Sequence, residues 1–295
     1  MIVVKLVGGH SNQLFQYATG RRLAERLGTE LYMDKAWFDT ITEEDTSRVY
    51  ELEDYRFQQK FIDSKRFALA DNRPEDIKIK LYKASKGLFK PRLVHYRQEG
   101  NGFDKQVLSL PDNTYLEGWW QDERYFKDMR PTLLKELELK SPPSAKNAGY
   151  LKQILSSNAV SLHIRRGDYI DNPAAKKFHG VTTVSYYQTA LKTMAKKTAQ
   201  TNFTVFVFSN DIEWCKKNLN FSFPTVFVEG NKKGAEDMRL MKHCKHNIMA
   251  NSSFSWWGAW LNQNPDKIVI APKIWFRNKQ ANKETGIVPP DWTRV

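Results

Sequence analysis

The chain has 295 residues, of which 41% are hydrophobic, so it is long enough for two ordinary domains or one large domain with a real core. This composition excludes wholesale disorder. The formal net charge of +13 predicts an anionic partner: nucleic acid, a phosphate-bearing small molecule or an anionic membrane surface.

No run of the sequence approaches the roughly 18 apolar residues that a membrane-spanning helix needs. Residues 1–7 lack the basic head and the long apolar middle of a signal peptide, and they are typical of a strand. The two cysteines, Cys215 and Cys244, fit a reducing compartment rather than a disulfide framework. We therefore expect a cytoplasmic protein.

Residues 1–145 predict a Rossmann-like domain that opens with a strand, a glycine turn, a helix and a second strand. No clear period runs through residues 36–113, where basic side chains crowd residues 78–92. The consecutive prolines Pro142 and Pro143 mark a linker. The expected elements are a strand over 2–7, a helix over 12–27 with Ser11 or Asn12 as its N-cap and Gly28 past its end, strands over 31–33 and 114–116, and a helix over 122–139.

Residues 146–295 predict a second Rossmann-like domain, because short β-rich runs alternate there with helical patterns. Two such α/β domains joined by a linker are expected to face each other across a cleft. Helical spacing on one face relates Val184, Tyr187, Leu191 and Met194. The expected strands cover 159–164, 203–208, 225–228, 247–249 and 267–270, and further helices cover 211–219, 235–244 and a segment that begins at Ser252 or Ser253.

The strongest motif is the run from His163 to Asp168, at the carboxyl end of a predicted strand. Ligands of open α/β sheets bind beyond the carboxyl ends of strands. The adjacent guanidinium groups of Arg165 and Arg166 suit bidentate contact with phosphate, and Asp168 is placed to anchor one of them. Two adjacent arginines alone equally fit a surface ion-pair cluster, which is the structural alternative.

A second motif runs from Asn251 to Trp257, where a predicted strand leads into a helix through small hydroxyl residues. Free backbone N–H groups, the helix dipole and the hydroxyls of Ser252 and Ser253 together favour an anion. The alternative is that one serine caps the helix while the tryptophans fill the core. The two interpretations are compatible.

Three shorter motifs are weaker. The turn from Gly8 to Gln13 matches neither G-x-G-x-x-G nor the G-x-x-x-x-G-K-[ST] loop, so glycine serves there at least the tight turn. Helix capping by Asn210 or Asp211 is the plain interpretation of the run Ser209-Asn210-Asp211. The segment from Gly118 to Glu123 pairs aromatic faces with carboxylates, which is the chemistry of sugar binding, although core packing explains at least one tryptophan.

No Asp-x-Asp pair of the kind that holds a divalent ion against a nucleotide diphosphate occurs in the sequence. The run His243-Cys244-Lys245-His246 is unlike a closed zinc site, because no distant cysteine pair accompanies it. We interpret it as the buried end of a helix. If a diphosphate binds, arginines must neutralise it.

Taken together, the motifs resemble those of glycosyltransferase family 11, the α-1,2-fucosyltransferases. The sequence departs from the family pattern at two places. The family commonly has Leu-Gly where this chain has His10-Ser11, which predicts a shifted acceptor preference. The family also often has Asp-Asp where this chain has Asn210-Asp211. The resemblance covers most of the chain outside residues 36–113. It rests on Gly8-Gly9-His10-Ser11-Asn12-Gln13-Leu14-Phe15-Gln16-Tyr17, Gly118-Trp119-Trp120-Gln121, His163-Ile164-Arg165-Arg166-Gly167-Asp168, Phe208-Ser209-Asn210-Asp211 and Asn251-Ser252-Ser253-Phe254-Ser255-Trp256-Trp257-Gly258.

The resemblance implies a fold similar to the GT-B class and an inverting, metal-independent transfer of L-fucose from GDP-fucose to O2 of a terminal β-galactoside, in surface glycan synthesis such as that of lipopolysaccharide O-antigen. GDP-fucose is the donor substrate, and no cofactor or metal is expected. The residues expected to be catalytic are Arg165, against the pyrophosphate, and Asp168. The expected donor-binding residues are Asn12, His163, Arg165, Arg166, Asp211, Asp237 at the guanine edge, Ser252, Ser253 and Phe254, and the expected acceptor-binding residues are His10, Trp119, Trp120, Gln121 and Glu123.

The general base stays open among Asp168, Asp171, Asp122 and Glu123. One competing class is a basic nucleic-acid-binding protein, but no helix-turn-helix, zinc or stacking-platform signature accompanies the charge, so we expect no nucleic acid. Another keeps the enzyme class and changes the GDP-sugar or the acceptor position. The expected acceptor is a β-galactoside oligosaccharide or a lipid-linked glycan, and the basic surplus either holds the protein at an anionic inner membrane face or is a solvated surface.

Overall fold

The computed structural model describes residues 1–40, 48–71, 92–167 and 173–295, and it forms two compact units. Unit 1 consists of Met1–Glu138 with Thr285–Ile287, and unit 2 consists of Leu139–Glu284 with Val288–Val295. Each unit holds one sheet whose strands pair in parallel. The expected α/β class, with a parallel sheet in each half of the chain, is confirmed.

Unit 1 has the strand order β2-β1-β5-β4-β3. The chain moves from β1 to β2 on one side and returns through β3 and β4 to β5 on the other side, so the switch point of the sheet lies between β1 and β5. The elements are β1 Ile2–Lys5, α1 His10–Leu27, β2 Leu31–Asp34, β3 Ala68–Asp71, β4 Arg92–Arg97, β5 Thr114–Glu117 and α2 Arg130–Glu136, with 3₁₀ turns at Ala36–Thr40, Ser64–Arg66, Lys105–Ser109, Glu123–Tyr125 and Lys127–Met129.

Helix α1 lies close against the sheet of unit 1. A Cβ at Gly20 would come within 2.9 Å of Leu31 Cδ1 and 3.3 Å of Val4 Cβ, so only glycine allows this approach. The helix ends where the sequence predicts, because Gly28 adopts the left-handed φ of 61°. Its start was predicted wrongly: Gly9 is the N-cap and makes no side-chain bond, and the carboxylate of Glu51 accepts the His10 N–H at 2.7 Å instead.

Unit 2 has the strand order β8-β7-β6-β9-β10-β11, which is the 3-2-1-4-5-6 order of the Rossmann fold. Its switch point lies between β6 and β9. The elements are α3 Ala145–Leu155, β6 Ala159–Ile164, α4 Pro173–His179, α5 Val184–Thr198, β7 Thr204–Ser209, α6 Ile212–Asn218, β8 Thr225–Phe227, α7 Gly234–Met241, β9 His246–Ile248, α8 Ser253–Trp260, β10 Val269–Ala271, α9 Lys279–Glu284 and β11 Thr293–Arg294.

The core of unit 2 contains the apolar positions that helical spacing predicts. Tyr187, Leu191 and Met194 of α5 pack against β6 and β7 in one cluster. Trp256 and Trp257 of α8 are fully buried, which confirms the structural interpretation of these tryptophans. Helix α8 approaches α7 closely, since a Cβ at Gly258 would lie 3.0 Å from Met241 Cε.

The predicted elements and the structure differ at three places. The helix expected over 122–139 is two 3₁₀ turns followed by α2, because the Asp122 side chain caps the first turn and Pro131 suits the first turn of an α-helix that starts at Arg130. Helix α3, which Ser144 caps, was not expected. The run from His243 to His246 is not a helix end: α7 ends at Met241, and His246 begins β9.

In the ranges that the structure describes, no helix is both long and apolar enough to span a bilayer.

Two glycines with open space around their Cβ positions test the left-handed end of α1. Gly28→Ala is expected to lower the free energy of unfolding by about 1 kcal/mol, because the Cβ of alanine is sterically strained at a positive φ. Gly149→Ala, within α3, is the matched control and is expected to raise it by about 0.5–1 kcal/mol. Urea unfolding of the full chain measures both, and equal effects would contradict the role of φ.

Candidate functional site

The switch point of unit 2 brings two of the predicted motifs together. Strands β6 and β9 are neighbours, with Leu162 opposite Ile248, so their carboxyl ends meet at one edge of the sheet. Arg165 follows the end of β6, and the segment after β9 leads into α8. Crevices at such switch points are where open α/β sheets bind ligands.

The N-terminus of α8 has the geometry of an anion-binding site. Ser252 is its N-cap, and the Ser252 hydroxyl accepts the Phe254 N–H at 3.3 Å. Ser253 is the first helical residue. The backbone N–H groups at a helix N-terminus and the positive end of the helix dipole favour a negative charge at such a place. Capping and anion binding therefore coexist, as the sequence allowed.

The side chain of Asn251 fixes the approach to α8. It is buried, and its Nδ2 donates to the carbonyl oxygens of His179 at 2.9 Å and Trp275 at 3.2 Å. One amide thus joins the end of α4 and the segment after β10 to the end of β9. This arrangement holds the anion site in a fixed position.

His163 is a buried, neutral histidine beside Phe254. Burial and, to a smaller extent, the nearby positive charge of Arg165 lower the pKa of His163 to about 3. The rings of His163 and Phe254 are 5.2 Å apart between centroids. Its buried Nδ1 has no hydrogen-bond partner among the described residues. A neutral imidazole is available as a hydrogen-bonding group but not as a cation at neutral pH.

The two arginines of the His163–Asp168 run have different surroundings. Arg166 donates from Nε to Asp211 Oδ2 at 3.2 Å, and its guanidinium carbon lies 3.6 Å from the centroid of the Trp214 ring. Asp211 also caps α6 through the Trp214 N–H. These contacts hold Arg166 and Asp211 against each other, and the expected contact of both residues with the donor stays a prediction. Asp168 and Asp171 lie outside the described residues.

A further contact locks the segment after β6 to the loop after β7. The backbone N–H of Arg166 donates to Asn210 Oδ1 at 3.1 Å. A Cβ at Gly167 would lie 2.0 Å from Asn210 Nδ2, so the two residues are in close contact. Asp211 is thus a described carboxylate that anchors one arginine of the pair, whereas the expected anchor Asp168 stays a prediction.

The ring of Phe254, a residue of α8, lies against the start of α7, and Asp237 belongs to the first turns of α7. A Cβ at Gly234 would come within 2.9 Å of the Phe254 ring, so the ring covers the first turn of that helix. Asn231 donates to Asp237 Oδ1 at 2.7 Å, and Asn147 donates in turn to Asn231 Oδ1 at 2.8 Å. Burial raises the pKa of Asp237 to about 6, against the effect of the Asn231 hydrogen bond. The ionised form of this carboxylate is therefore energetically unfavourable at its buried position.

The switch point of unit 1 collects several of the predicted acceptor residues. Gln16 is buried and bridges the ends of β1 and β5: its Oε1 accepts the Val7 N–H at 3.0 Å, and its Nε2 donates to the Gly118 carbonyl at 3.2 Å. Gln121 donates to Asn12 Oδ1 at 2.8 Å. Asn12, expected at the donor, therefore lies beside the acceptor candidate Gln121.

Two acceptor candidates and one base candidate are buried in the structure. His10 is buried, its Nε2 lies 2.8 Å from the Tyr55 hydroxyl, and burial lowers its pKa to about 4. Trp120 is completely buried, so its ring faces are not open to a sugar. Asp122 is buried in an ion pair with Arg124, with 2.9 Å between Asp122 Oδ1 and Arg124 Nε, and its role as a base stays a prediction. Glu123 begins a 3₁₀ turn and stays a prediction.

Amide side chains account for the site residues that sequence reasoning missed. Gln16, Gln98, Asn147 and Asn231 bind strand ends or each other across long distances in sequence. No local pattern identifies such residues, because an isolated asparagine or glutamine is usual on a protein surface. Within the described ranges, no group of three or more His, Cys, Asp or Glu side chains is arranged to hold a metal ion.

A parallel sheet in the 3-2-1-4-5-6 order, with an arginine and a helix N-terminus at its switch point, defines a protein of the Rossmann class. The model of the family "Glycosyl transferase family 11" matches residues 82–295. The chain belongs to this family and is a glycosyltransferase, as the resemblance of its motifs indicates.

Relatives of known activity agree with the family. The chain is 34% identical to an alpha-1,2-colitosyltransferase of Escherichia coli, over 100% of this chain and 99% of that protein. It is 32% identical to the O-antigen biosynthesis glycosyltransferase WbnK of Escherichia coli, over 95% and 96%. It is 31% identical to galactoside alpha-(1,2)-fucosyltransferase 2 of Mus musculus, over 52% of this chain and 51% of the mouse protein.

The pKa of Asp237 predicts an unusual stability effect. Its value rises on folding from 3.8 to about 6, so the unfolded chain loses this proton first as pH increases, and stability falls across that interval. Asp237→Asn keeps the shape of the neutral form. At about pH 7.5 it is expected to raise the free energy of unfolding by up to about 3 kcal/mol, with the difference vanishing near about pH 4.

Urea unfolding at both pH values measures this effect. Asp291→Asn, at an exposed carboxylate of the same unit, is the control and is expected to change little at either pH. A loss of stability in Asp237→Asn at about pH 7.5 would show that the carboxylate is a structural partner rather than a buried charge held for a ligand.

Proposed function

We propose that the protein transfers L-fucose from GDP-fucose to O2 of a terminal β-galactoside, with inversion at the anomeric carbon and without a metal ion. The observation that carries this proposal is the pairing of β6 with β9, which sets Arg165 and the N-terminus of α8 at one edge of the sheet. The galactoside α-1,2-fucosyltransferase relative and the shared motifs support the choice of sugar and linkage.

The diphosphate of the donor is assigned to the N-terminus of α8. The backbone N–H groups of its first turn and the Ser253 hydroxyl supply neutral donors, and Arg165 supplies the positive charge. His163, which is neutral, adds a hydrogen-bonding nitrogen beside them. These groups provide the charge balance that a metal ion supplies in other nucleotide-sugar sites.

The guanine base is assigned to Phe254 and Asp237. The ring of Phe254, above Gly234, offers an aromatic face for the base. The ionised carboxylate of Asp237 accepts the N1–H and 2-amino groups of guanine, which adenine cannot offer in that arrangement. Those two hydrogen bonds offset the cost of burying the charge, and this explains why the protein retains a carboxylate there.

The transfer is an in-line displacement at the anomeric carbon. The bond from C1 to the β-phosphate oxygen breaks, the bond from C1 to the acceptor O2 forms, GDP leaves with the electron pair, and the acceptor hydroxyl loses its proton. Negative charge develops on the leaving phosphate oxygen, where the Arg165 guanidinium stabilises it. Asp168 stays a predicted catalytic residue, and the base that takes the proton stays open.

A second candidate donor comes from the colitosyltransferase, which is 34% identical over the whole chain. That enzyme also forms an α-1,2 linkage, so the acceptor position is common to both candidates. Colitosyl transfer therefore replaces only the sugar of the donor. The O-antigen transferase relative supports a role in surface glycan synthesis on an oligosaccharide or lipid-linked acceptor. We include in this proposal a cytoplasmic location, with contact of the basic surface at an anionic membrane face.

The purified full chain, incubated with GDP-fucose, a panel of β-galactosides and EDTA, tests the function directly. We expect GDP release and a product with an α-1,2-fucosyl linkage, identified by NMR. Turnover with GDP-colitose and none with GDP-fucose would favour the second donor. Folded protein that releases no GDP from either donor would overturn both assignments.

Arg165→Ala is expected to lower kcat about 10²- to 10³-fold, or ~2.7–4 kcal/mol, because it removes the charge that stabilises the leaving phosphate. Arg165→Lys is expected to recover part of the loss, since it keeps the charge but not the bidentate geometry. Lys217→Ala, at an exposed lysine of α6, is the charge-matched control. Near-normal turnover and donor KM in Arg165→Ala would contradict the assignment.

A further inference from the structure

The turn after β5 presents two adjacent tryptophans in opposite ways. Trp119 is 45% exposed, whereas Trp120 is 0% exposed and packs edge-on against Tyr125, with 5.7 Å between ring centroids. An exposed indole next to a buried one requires the backbone to turn sharply between them. The turn lies at the switch point of unit 1, where ligands of such sheets bind.

The backbone at Trp120 is in the left-handed region, with φ of 53°. This conformation is sterically unfavourable for a bulky residue, and such strain concentrates at functional sites. Two residues earlier, only glycine fits at position 118, because a Cβ there would lie 2.6 Å from Gln98 Cβ and 2.7 Å from the Trp120 ring. The protein thus holds a costly turn that directs the Trp119 ring outward.

Gln98, directly after β4, stabilises this turn. Its Oε1 accepts the backbone N–H of Trp119 at 2.9 Å and that of Trp120 at 3.0 Å. Its backbone N–H donates to the Glu117 carbonyl at 2.9 Å, which continues the pairing of β4 with β5. One glutamine side chain therefore orients both tryptophans.

The exposed ring lies over a glycine and beside amide groups. A Cβ at Gly8 would come within 3.1 Å of Trp119 Cζ3 and 2.7 Å of Asn12 Nδ2, so Trp119 and Asn12 border the same point. The Asn12 Oδ1 in turn accepts a hydrogen bond from the Gln121 side chain. A flat apolar ring bordered by amides matches a pyranose, which has C–H groups on one face and hydroxyls at its edge.

We propose that Trp119 is the residue that selects the acceptor sugar, by stacking on the apolar face of a galactose-configured ring, and that Gln98 and Trp120 are its positioning residues. In galactose the axial O4 leaves C3–H, C4–H and C5–H together on one face, whereas in glucose the equatorial O4 does not. The proposal deepens the proposed function and rests on it for the choice of a β-galactoside.

Kinetics of three variants with lactose and with the glucoside cellobiose test the stacking. Trp119→Ala is expected to raise the KM for lactose about tenfold or more and to reduce the preference for lactose over cellobiose, because the stacked apolar area is lost. Trp119→Phe keeps a smaller ring and is expected to lose less. Leu155→Ala, which truncates another exposed apolar side chain, is the control and is expected to change neither value. An unchanged KM and preference in Trp119→Ala would overturn the proposal.

Positioning by Gln98 has its own test. Gln98→Leu removes the acceptor of both tryptophan N–H groups, and it is expected to raise the KM for lactose while GDP binding, measured by calorimetry, is unchanged. Gln98→Glu retains an oxygen acceptor and is expected to recover the lactose KM. If Gln98→Leu weakened GDP binding as much as it raised the KM for lactose, the residue would have a general structural role, and the proposed positioning of Trp119 would be overturned.

Binding measurements separate this proposal from the proposed function. Lactose is expected to change the tryptophan fluorescence of the GDP-bound protein, and Trp119→Phe is expected to abolish that change. Lactose binding through Trp119 without fucosyl transfer would support the stacking and reject the donor. Fucosyl transfer to lactose with no effect of Trp119→Ala would reject the stacking and support the proposed function.

Discussion

The pairing of β6 with β9 is the constraint on which the site of unit 2 depends. β6 is the first strand of this sheet in sequence and β9 is the fourth, so the connections leave the two strands toward opposite sides. Their carboxyl ends are adjacent while their following segments diverge, which opens space for a ligand. The same reversal occurs in unit 1 between β1 and β5, and Gly8 and Trp119 meet there.

Both switch points expose backbone groups at strand ends, and amide side chains satisfy or join these groups. Gln16 links the ends of β1 and β5, Gln98 holds the turn after β5, and Asn251 joins three segments at the start of α8. An amide both donates and accepts, so one side chain can bridge two strand ends that have no regular partner. This chemistry gives the loops of the site fixed positions without extending the sheets.

Burial and neighbouring groups determine which side chains of the site carry a charge and which charges are paired. The positive charge of Arg166 is balanced by Asp211 and the Trp214 ring, and burial keeps His163 neutral. Arg165 is the arginine that we propose for the diphosphate of the donor. Asp237 is the opposite case, since a buried carboxylate with a raised pKa is costly until donors from a ligand reach it. A net charge of +13 predicted an anionic partner, but it could not distinguish these individual roles.

The sequence by itself determined the α/β class, most strands of unit 2, the end of α1 at Gly28 and the family, because these depend on local periodicity, glycine conformation and contiguous motifs. Tertiary structure distinguished the two residues of each adjacent pair. Arg165 and Trp119 are indistinguishable in type from Arg166 and Trp120, and only Asp211 and the strained turn after Gly118 assign the second residue of each pair to packing. Those partners are distant in sequence, so no local pattern could have identified them.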